Sequence, residues 1–517
     1  MDKKWWTLLA VCTGTFMLLL DVTIVVVALP AIQISLRASF SDVQWVIDAY
    51  ALTLASLLLT TGVLADRYGR RKLFAIGLSI FTLGSLTCGL AQSPLMLIVS
   101  RSGQGIGGAI VFSTSLALLA DSFRGKDRGV AFGIWGAITG VAISLGPILG
   151  GAITTGINWR GIFLVNVPVG IGAIAVTLWK VQESRSPHPG RPDWVGFALL
   201  TTGLVSFVYG LIRASETSWG DSGVIICLIL GCLLLGSFVA LEFRIDHPMF
   251  DMSLFRTPTF VGGLLAAFAM NGSFFAMFLY LVLYLQDILG YSALDTGLRL
   301  LVSTGGTFFA AGLSGRLSEH VPVRYLIAPG LGLVGVGLLF MTGLNGTSSW
   351  THLLPGFIIA GIGAGLVNPP LASTAIGVVT PERSGMASGV NSTFRQIGFA
   401  MSIAALGSIF ATKLREDLAH ALASVPGLAA HAPQYVAQIR QGTPGRAIAA
   451  APPALRAQLE AAIRSSFASG IDNLALITAV VAFAGAVGAL LLIRGKDFLA
   501  RPERRELVTE DVLAKTT

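Results

Sequence analysis

Stretches of about 20 or more apolar residues recur along this chain, and a helix needs that length to cross roughly 30 Å of hydrocarbon at about 1.5 Å per residue. With 54% of its 517 residues hydrophobic and only 12% charged, the chain cannot hide its apolar surface in a water-soluble core. Lipid is its solvent. The runs place spans near 5–29, 44–64, 73–92, 95–120, 130–157, 162–180, 194–212, 222–242, 259–286, 294–315, 324–344, 352–375, 385–411 and 471–493. The expected class is therefore an all-α membrane protein of fourteen spans. The first run has no small-residue cleavage site and is read as a span rather than as a signal peptide.

Many of the 61 glycines sit inside these runs, where they let membrane helices approach closely. Cys12, Cys88, Cys227 and Cys232 also lie in apolar runs, which predicts buried free thiols and no disulfide framework. The net charge of +8 is spread over short connections instead of being gathered in a polar domain, so it points to topology and to no nucleic-acid partner. Lys and Arg fill alternate connections, for example Arg67, Arg70, Arg71 and Lys72, whereas the short connections between them carry Arg37, Arg160 and Arg213. This asymmetry places both termini in the cytoplasm of a multi-pass cell-membrane protein. Residues 412–470 form a long alanine-rich connection, expected outside.

The chain repeats itself at an offset of 256 residues. Gly105-Ile106-Gly107-Gly108 matches Gly361-Ile362-Gly363-Ala364, and Gly129, Ala131 and Gly133 match Gly385, Ala387 and Gly389. The repeat pairs spans 1–6 with spans 9–14 and leaves two spans as an insert, an even number that keeps both halves in the same orientation. The expected units are a six-helix bundle over 1–182, two inserted helices over 183–257, a second six-helix bundle over 258–493 containing the outer loop 412–470, and a cytoplasmic tail over 494–517.

The connection after span 2 reads Gly62-Val63-Leu64-Ala65-Asp66-Arg67-Tyr68-Gly69-Arg70-Arg71-Lys72, in which Asp66 can cap a helix or pair with a cation on another span. This segment resembles the cytoplasmic signature of the major facilitator superfamily. Leu97 to Ala109, with Arg101, Gln104, Gly105 and Gly107, is similar to that superfamily's span 4 motif, and Gly146-Pro147-x-x-Gly150-Gly151 to its span 5 antiporter motif. Leu20-Asp21-Val22-Thr23-Ile24 through Leu29-Pro30, with Trp159-Arg160, Asn166-x-Pro168 and Gln286-x-x-x-Gly290-Tyr291, resembles the fourteen-span drug:proton antiporters of the EmrB/QacA type. Val26, Ala142 and Gly161 depart from that pattern, standing where Asn, Gly and Trp are usual. The resemblance implies a major-facilitator fold and a protein that exchanges protons for a small lipophilic or cationic drug-like substrate, acting as a monomer and without a cofactor.

Asp21 lies deep in span 1, where a carboxylate costs roughly 2.5–3.5 kcal/mol on insertion scales. Read functionally, it alternates between holding a proton and helping to bind a cation; read structurally, it bonds Thr23 or a neighbouring helix. Arg101 in span 4 stays charged at any working pH and either biases a nearby acid or snorkels to an interface. Arg395 in span 13 raises the same question. Asp48, near the outer end of span 2, is expected to be a solvated interfacial acid or to line an outer vestibule. Span 5 carries Gly146 and Gly150 around Pro147, which suits a helix that seals one side of a cavity.

Two other classes are weighed against export. An ATP-driven pump lacks its G-x-x-x-x-G-K-[ST] phosphate loop here. A membrane enzyme would need a catalytic or metal constellation, and the six histidines are scattered without ligand spacing, so no catalytic or metal residue is assigned. A dedicated exporter of one metabolite or antibiotic remains open beside a multidrug exporter.

Overall fold

The computed structural model describes residues 2–498 apart from 124, 186–191, 246–247, 249, 319, 380–382, 426–427, 429–431, 433, 436–447 and 449–450. His188, His247, Glu319, His431, much of the 412–470 connection and the tail beyond 498 therefore lie outside the described residues. Among the described residues there is no strand. Helices α1 (Lys3–Leu36), α2 (Phe40–Tyr68), α3 (Arg70–Gly89), α4 (Pro94–Ser122), α5 (Gly125–Gly156) and α6 (Gly161–Lys180) make the first group. The pair α7 (Trp194–Glu216) and α8 (Ser222–Glu242) follows. The last group is α9 (Pro258–Ile288), α10 (Ala293–Leu317), α11 (Arg324–Leu339), α12 (Leu354–Gly377), α13 (Ser384–Ala423) and α14 (Arg456–Leu492).

Twelve helices among the described residues are long and apolar enough to cross a bilayer. The two others are α10 and α11. The first is diluted by Asp295, Arg299, Arg316 and a run of Ser, Thr and Gly, and the second is an apolar helix of only 16 residues.

The 256-residue repeat is a packing repeat. A Cβ at Gly105 would collide with Tyr50 of α2 and one at Gly107 with Gly77 and Phe81 of α3; a Cβ at Gly361 would collide with Ser303 of α10 and one at Gly363 with Gly330 and Val334 of α11. The same glycines thus bring α4 onto α2 and α3, and α12 onto α10 and α11.

Several helices outrun the apolar runs that predicted them. The 412–470 connection is helical at both ends, because α13 continues to Ala423 and α14 begins at Arg456. These extensions have their own contacts: Phe410 and Phe467 rings lie 4.8 Å apart, and Asp417 accepts from Ser469 at 2.7 Å and from Lys413 at 2.8 Å. Burial of both Cys12 and Cys88 agrees with the sequence reading, but Cys227 is half-buried and Cys232 exposed. They lie on α8, which is the least enclosed of the twelve candidate spans. At its start, hydrogen bonds from Arg213 and from the Val224 amide hold the Asp221 carboxyl below the usual carboxylate range.

The α7–α8 pair contacts both of the other helix groups. Trp45 of α2 meets Tyr209 of α7, Ser41 donates to Glu216, and Arg415 of α13 donates to the Thr217 carbonyl at 3.2 Å.

Candidate functional site

Asp21 sits 18 residues past the start of α1, about 27 Å along it at ~1.5 Å per residue, and is fully buried. Its carboxylate is surrounded by donors from two other helices. Arg101 of α4 donates through Nη1 to Oδ2, while Gln104 of α4 and Asn166 of α6 donate to Oδ1 at 3.1 and 3.4 Å. Arg101 and Gln104 are three residues apart and so share one helix face. Gln104 also donates to Ser85 at 2.7 Å and accepts from Arg101 at 2.8 Å and from Cys88 at 3.4 Å.

The guanidinium is equally enclosed. Its Nε donates to the Val46 carbonyl of α2 at 3.0 Å, and its Cζ lies 4.3 Å from the centre of the Tyr50 ring. Arg101 is 1% exposed, so it does not snorkel. Removing one member of such a pair would leave an uncompensated charge, which typically costs about 3–5 kcal/mol. Sequence reasoning picked out Asp21 and Arg101 separately. Ser85, Tyr50 and the Val46 carbonyl carried no signal, whereas Asn166 was visible in its Asn-x-Pro pattern.

Asp48 is not a solvated interfacial acid. It is fully buried eight residues into α2, and among the described residues neither carboxylate oxygen has a hydrogen-bond partner. One turn earlier, Gln44 donates to the Ile403 carbonyl of α13 at 3.0 Å, and Tyr280 of α9 donates to that same carbonyl at 2.6 Å. The helices of the two halves close over Asp48 at this level, which removes the water the sequence reading gave it.

Helix α5 joins the halves. A Cβ at Gly146 or Gly150 would strike Thr23 or Ile24 of α1, and one at Gly151 would strike Ala293 and Leu294 of α10. The Pro147 carbonyl lies against Gly297, and Ser144 donates to the Thr304 carbonyl at 3.2 Å. Further along, nothing lies within 4 Å of a Cβ at Gly133 or Gly136 of α5, or at Gly312 or Gly315 of α10. The α5–α10 seam is therefore packed toward Thr155 and Leu294 and parted toward the end that carries the signature loop.

In that loop, Gly69 adopts φ 116°, a conformation that favours glycine. A Cβ there would also meet the Glu183 carboxylate at 2.8 Å. Glu183 accepts from the Arg71 and Lys72 amides at 3.0 and 3.2 Å and so caps α3, a role the sequence did not reveal. Asp66 pairs with Arg70 at 2.8 Å, a Cβ at Gly62 would lie 3.8 Å from Ser113 of α4, and Arg67 is exposed beside Tyr68.

These elements are five helices around one buried ion pair and a glycine-lined seam between α5 and α10. Residues 11–403 match the Major Facilitator Superfamily. The chain belongs to the Major Facilitator Superfamily. Within the superfamily it is 37% identical over 416 residues to the multidrug resistance protein Stp of Mycobacterium tuberculosis strain CDC 1551 / Oshkosh, covering 80% of this chain and 77% of that one. It is 30% identical to the tetracenomycin C resistance and export protein of Streptomyces glaucescens over 97% and 94% of the two chains. It is 36% identical to the cephamycin export protein CmcT of Amycolatopsis lactamdurans over 77% and 83%. The superfamily fold is also seen in a solved bacterial homologue of the human lysosomal transporter Spinster in an inward-facing, occupied conformation, with a TM-score of 0.66, 19% identity and coverage of 95% and 98%.

Proposed function

We propose that this protein is a proton-coupled exporter of drug-like molecules that works by alternating access, with fourteen spans, both termini cytoplasmic, and α7–α8 inserted between bundles 1–182 and 258–493. The observation that carries the reading is the sealed Asp21–Arg101 pair beside the α1–α5–α10 contact. Protonating Asp21 cancels its charge and releases Arg101 from it. Thr23 and Ile24, two and three residues on, rest on Gly146 and Gly150, and the next residues of α5 rest on α10. A change in the proton state of Asp21 thus lies within one helical turn of the seam that must open.

In the proposed orientation the packed end of the seam is the outer one, so the molecule faces inward. Relatives named for multidrug resistance and for export of single antibiotics support efflux, and both breadths of substrate remain within the proposal. Gly62, Asp66, Arg67, Gly69 and Arg70 serve the inner gate; Gly146, Pro147, Gly150 and Gly151 serve the seal. Asp48 is shut in separately, where α2 packs on α9 and α13.

The test is uphill transport in proteoliposomes under an imposed pH gradient, with substrates chosen by growth inhibition of an efflux-deficient host across a compound panel. Wild type should concentrate substrate only while the gradient lasts, and Asp21→Asn should equilibrate it at most. Uphill transport by Asp21→Asn with unchanged pH dependence would move the proton site elsewhere.

A further inference from the structure

The family resemblance implied a lipophilic or cationic substrate, with Asp21 read as helping to bind a cation. Among the described residues the two carboxylates set deepest in the first helix group are not open to a cation: Asp21 and Asp48 are both fully buried, one neutralised by Arg101 and the other shut in where α2 packs on α9 and α13. A cation is offered instead.

Arg395 lies 11 residues past the start of α13, about 16 Å along it at ~1.5 Å per residue. Successive helical residues turn by about 100°, so its neighbours fix where it points. Thr393 donates to the Ala55 carbonyl of α2, Phe394 meets the Phe250 and Phe255 rings 6.5 and 6.3 Å away, and a Cβ at Gly398 would strike Phe268 of α9. These three positions fall within an arc of about 140° of α13. Arg395 lies outside that arc and reaches α12, with Ser392 and Gln396 on the same side of α13; all three keep partial exposure.

On that side the guanidinium donates through Nη1 to Oδ1 of Asn368 at 3.0 Å, and the Asn368 amide is fixed in turn by donating to the Ala364 carbonyl at 3.2 Å. Among the described residues no carboxylate forms an ion pair with Arg395. The contrast with Arg101 is direct. Both are arginines in the spans and both stay charged, but one is saturated by an acid, an amide, a carbonyl and a ring, while the other has one neutral hydrogen-bond partner among the described residues. A guanidinium has five N–H donors in a planar fork that matches a carboxylate bidentately.

We infer that Arg395, held by Asn368, is the recognition point for an ionised acidic group on the exported molecule, so that the cargo is an amphipathic organic anion. The inference rests on the export reading and specifies its substrate class. Asn368 takes the role of orienting the fork, with the remaining N–H groups directed to the cargo's carboxylate, phenolate or enolate oxygens.

Proteoliposomes containing wild type, Arg395→Gln or Arg395→Lys test this under one pH gradient with two dyes of the same ring system, anionic fluorescein and cationic rhodamine 123, supplemented by a panel of amphipathic carboxylates and their amine counterparts. Wild type should carry the acids in preference to the amines. Arg395→Gln should lower acid transport at least tenfold, chiefly through KM, and leave any residual amine transport unchanged, with Arg395→Lys between the two. Monodisperse elution and an unaltered Tm establish that each variant is folded. Transport of amines but not acids overturns the inference and leaves the export reading standing. Transport of neither class overturns both. Equal loss of both classes in Arg395→Gln makes the residue structural and overturns the inference.

Discussion

A buried ion pair makes each partner conditional on the other. Asp21 and Arg101 come from helices 80 positions apart in the chain, and each satisfies a charge that would otherwise stand alone where water does not reach. Asp21→Asn and Arg101→Met should each destabilise the protein by about 3–5 kcal/mol, because each strands the other group. The double variant should be much less destabilised than the sum, a coupling that thermal unfolding of the four purified proteins reads directly. Additive losses would exclude the pair as a unit. At this scale the sequence was legible wherever a residue conflicts with its surroundings. A charge in an apolar run announces itself, which is why Asp21 and Arg101 stood out before any fold was known. The partners that complete the network, Ser85, Tyr50 and a main-chain carbonyl, conflict with nothing in their own helices. Asp48 misled for the converse reason: its nearness to the end of a span suggested water, and only packing against α9 and α13 removes it.

Helices slide and part where side chains are smallest, and α5 shows both conditions along one face. Its Gly151 is pressed against α10 while Gly136 has free space. Gly151→Leu cannot be accommodated with the seam closed and should hold the transporter open at that end, whereas Gly136→Leu fits the present conformation but obstructs closure of the signature-loop end. Both should fold and abolish transport. They should differ in a thiol-labelling assay: a cysteine placed at Thr304 should label faster in Gly151→Leu than in wild type and no faster in Gly136→Leu. Equal labelling in both would refute the assignment of the two ends. The glycine pairs of α4 and α12 were readable as a repeat in the sequence because close helix contact demands glycine at fixed positions. Helix ends were less readable. Hydropathy reports where lipid stops, while α13 and α14 continue as helices for as long as Phe410, Phe467 and Asp417 give them something to pack against. The apolar runs also understated α10, whose polar residues turn toward α5 and α12, as when Thr307 donates to the Gly361 carbonyl at 3.0 Å.

For the whole molecule, orientation decides which gradient can do work. If the signature loop faces the cytoplasm, a cysteine at Ser93, beyond α3, should label from outside in intact cells, and one at Ser184, beside the signature loop, only after permeabilisation. The reverse pattern would invert the molecule. Charge then follows from the two proposed binding events. Exchange of one entering proton for one departing monovalent cation moves no net charge, but exchange for a monovalent anion moves two positive charges inward. A potential of about 100 mV, negative inside, contributes roughly 2.3 kcal/mol per charge, so it would add about 4.6 kcal/mol to anion export, some three orders of magnitude in accumulation, and nothing to cation export. In proteoliposomes clamped by potassium and valinomycin at fixed pH gradient, export of an acidic substrate should therefore speed up as the interior becomes negative and stall as it becomes positive. Indifference to the potential would leave the proton step intact and remove the anionic cargo from the cycle.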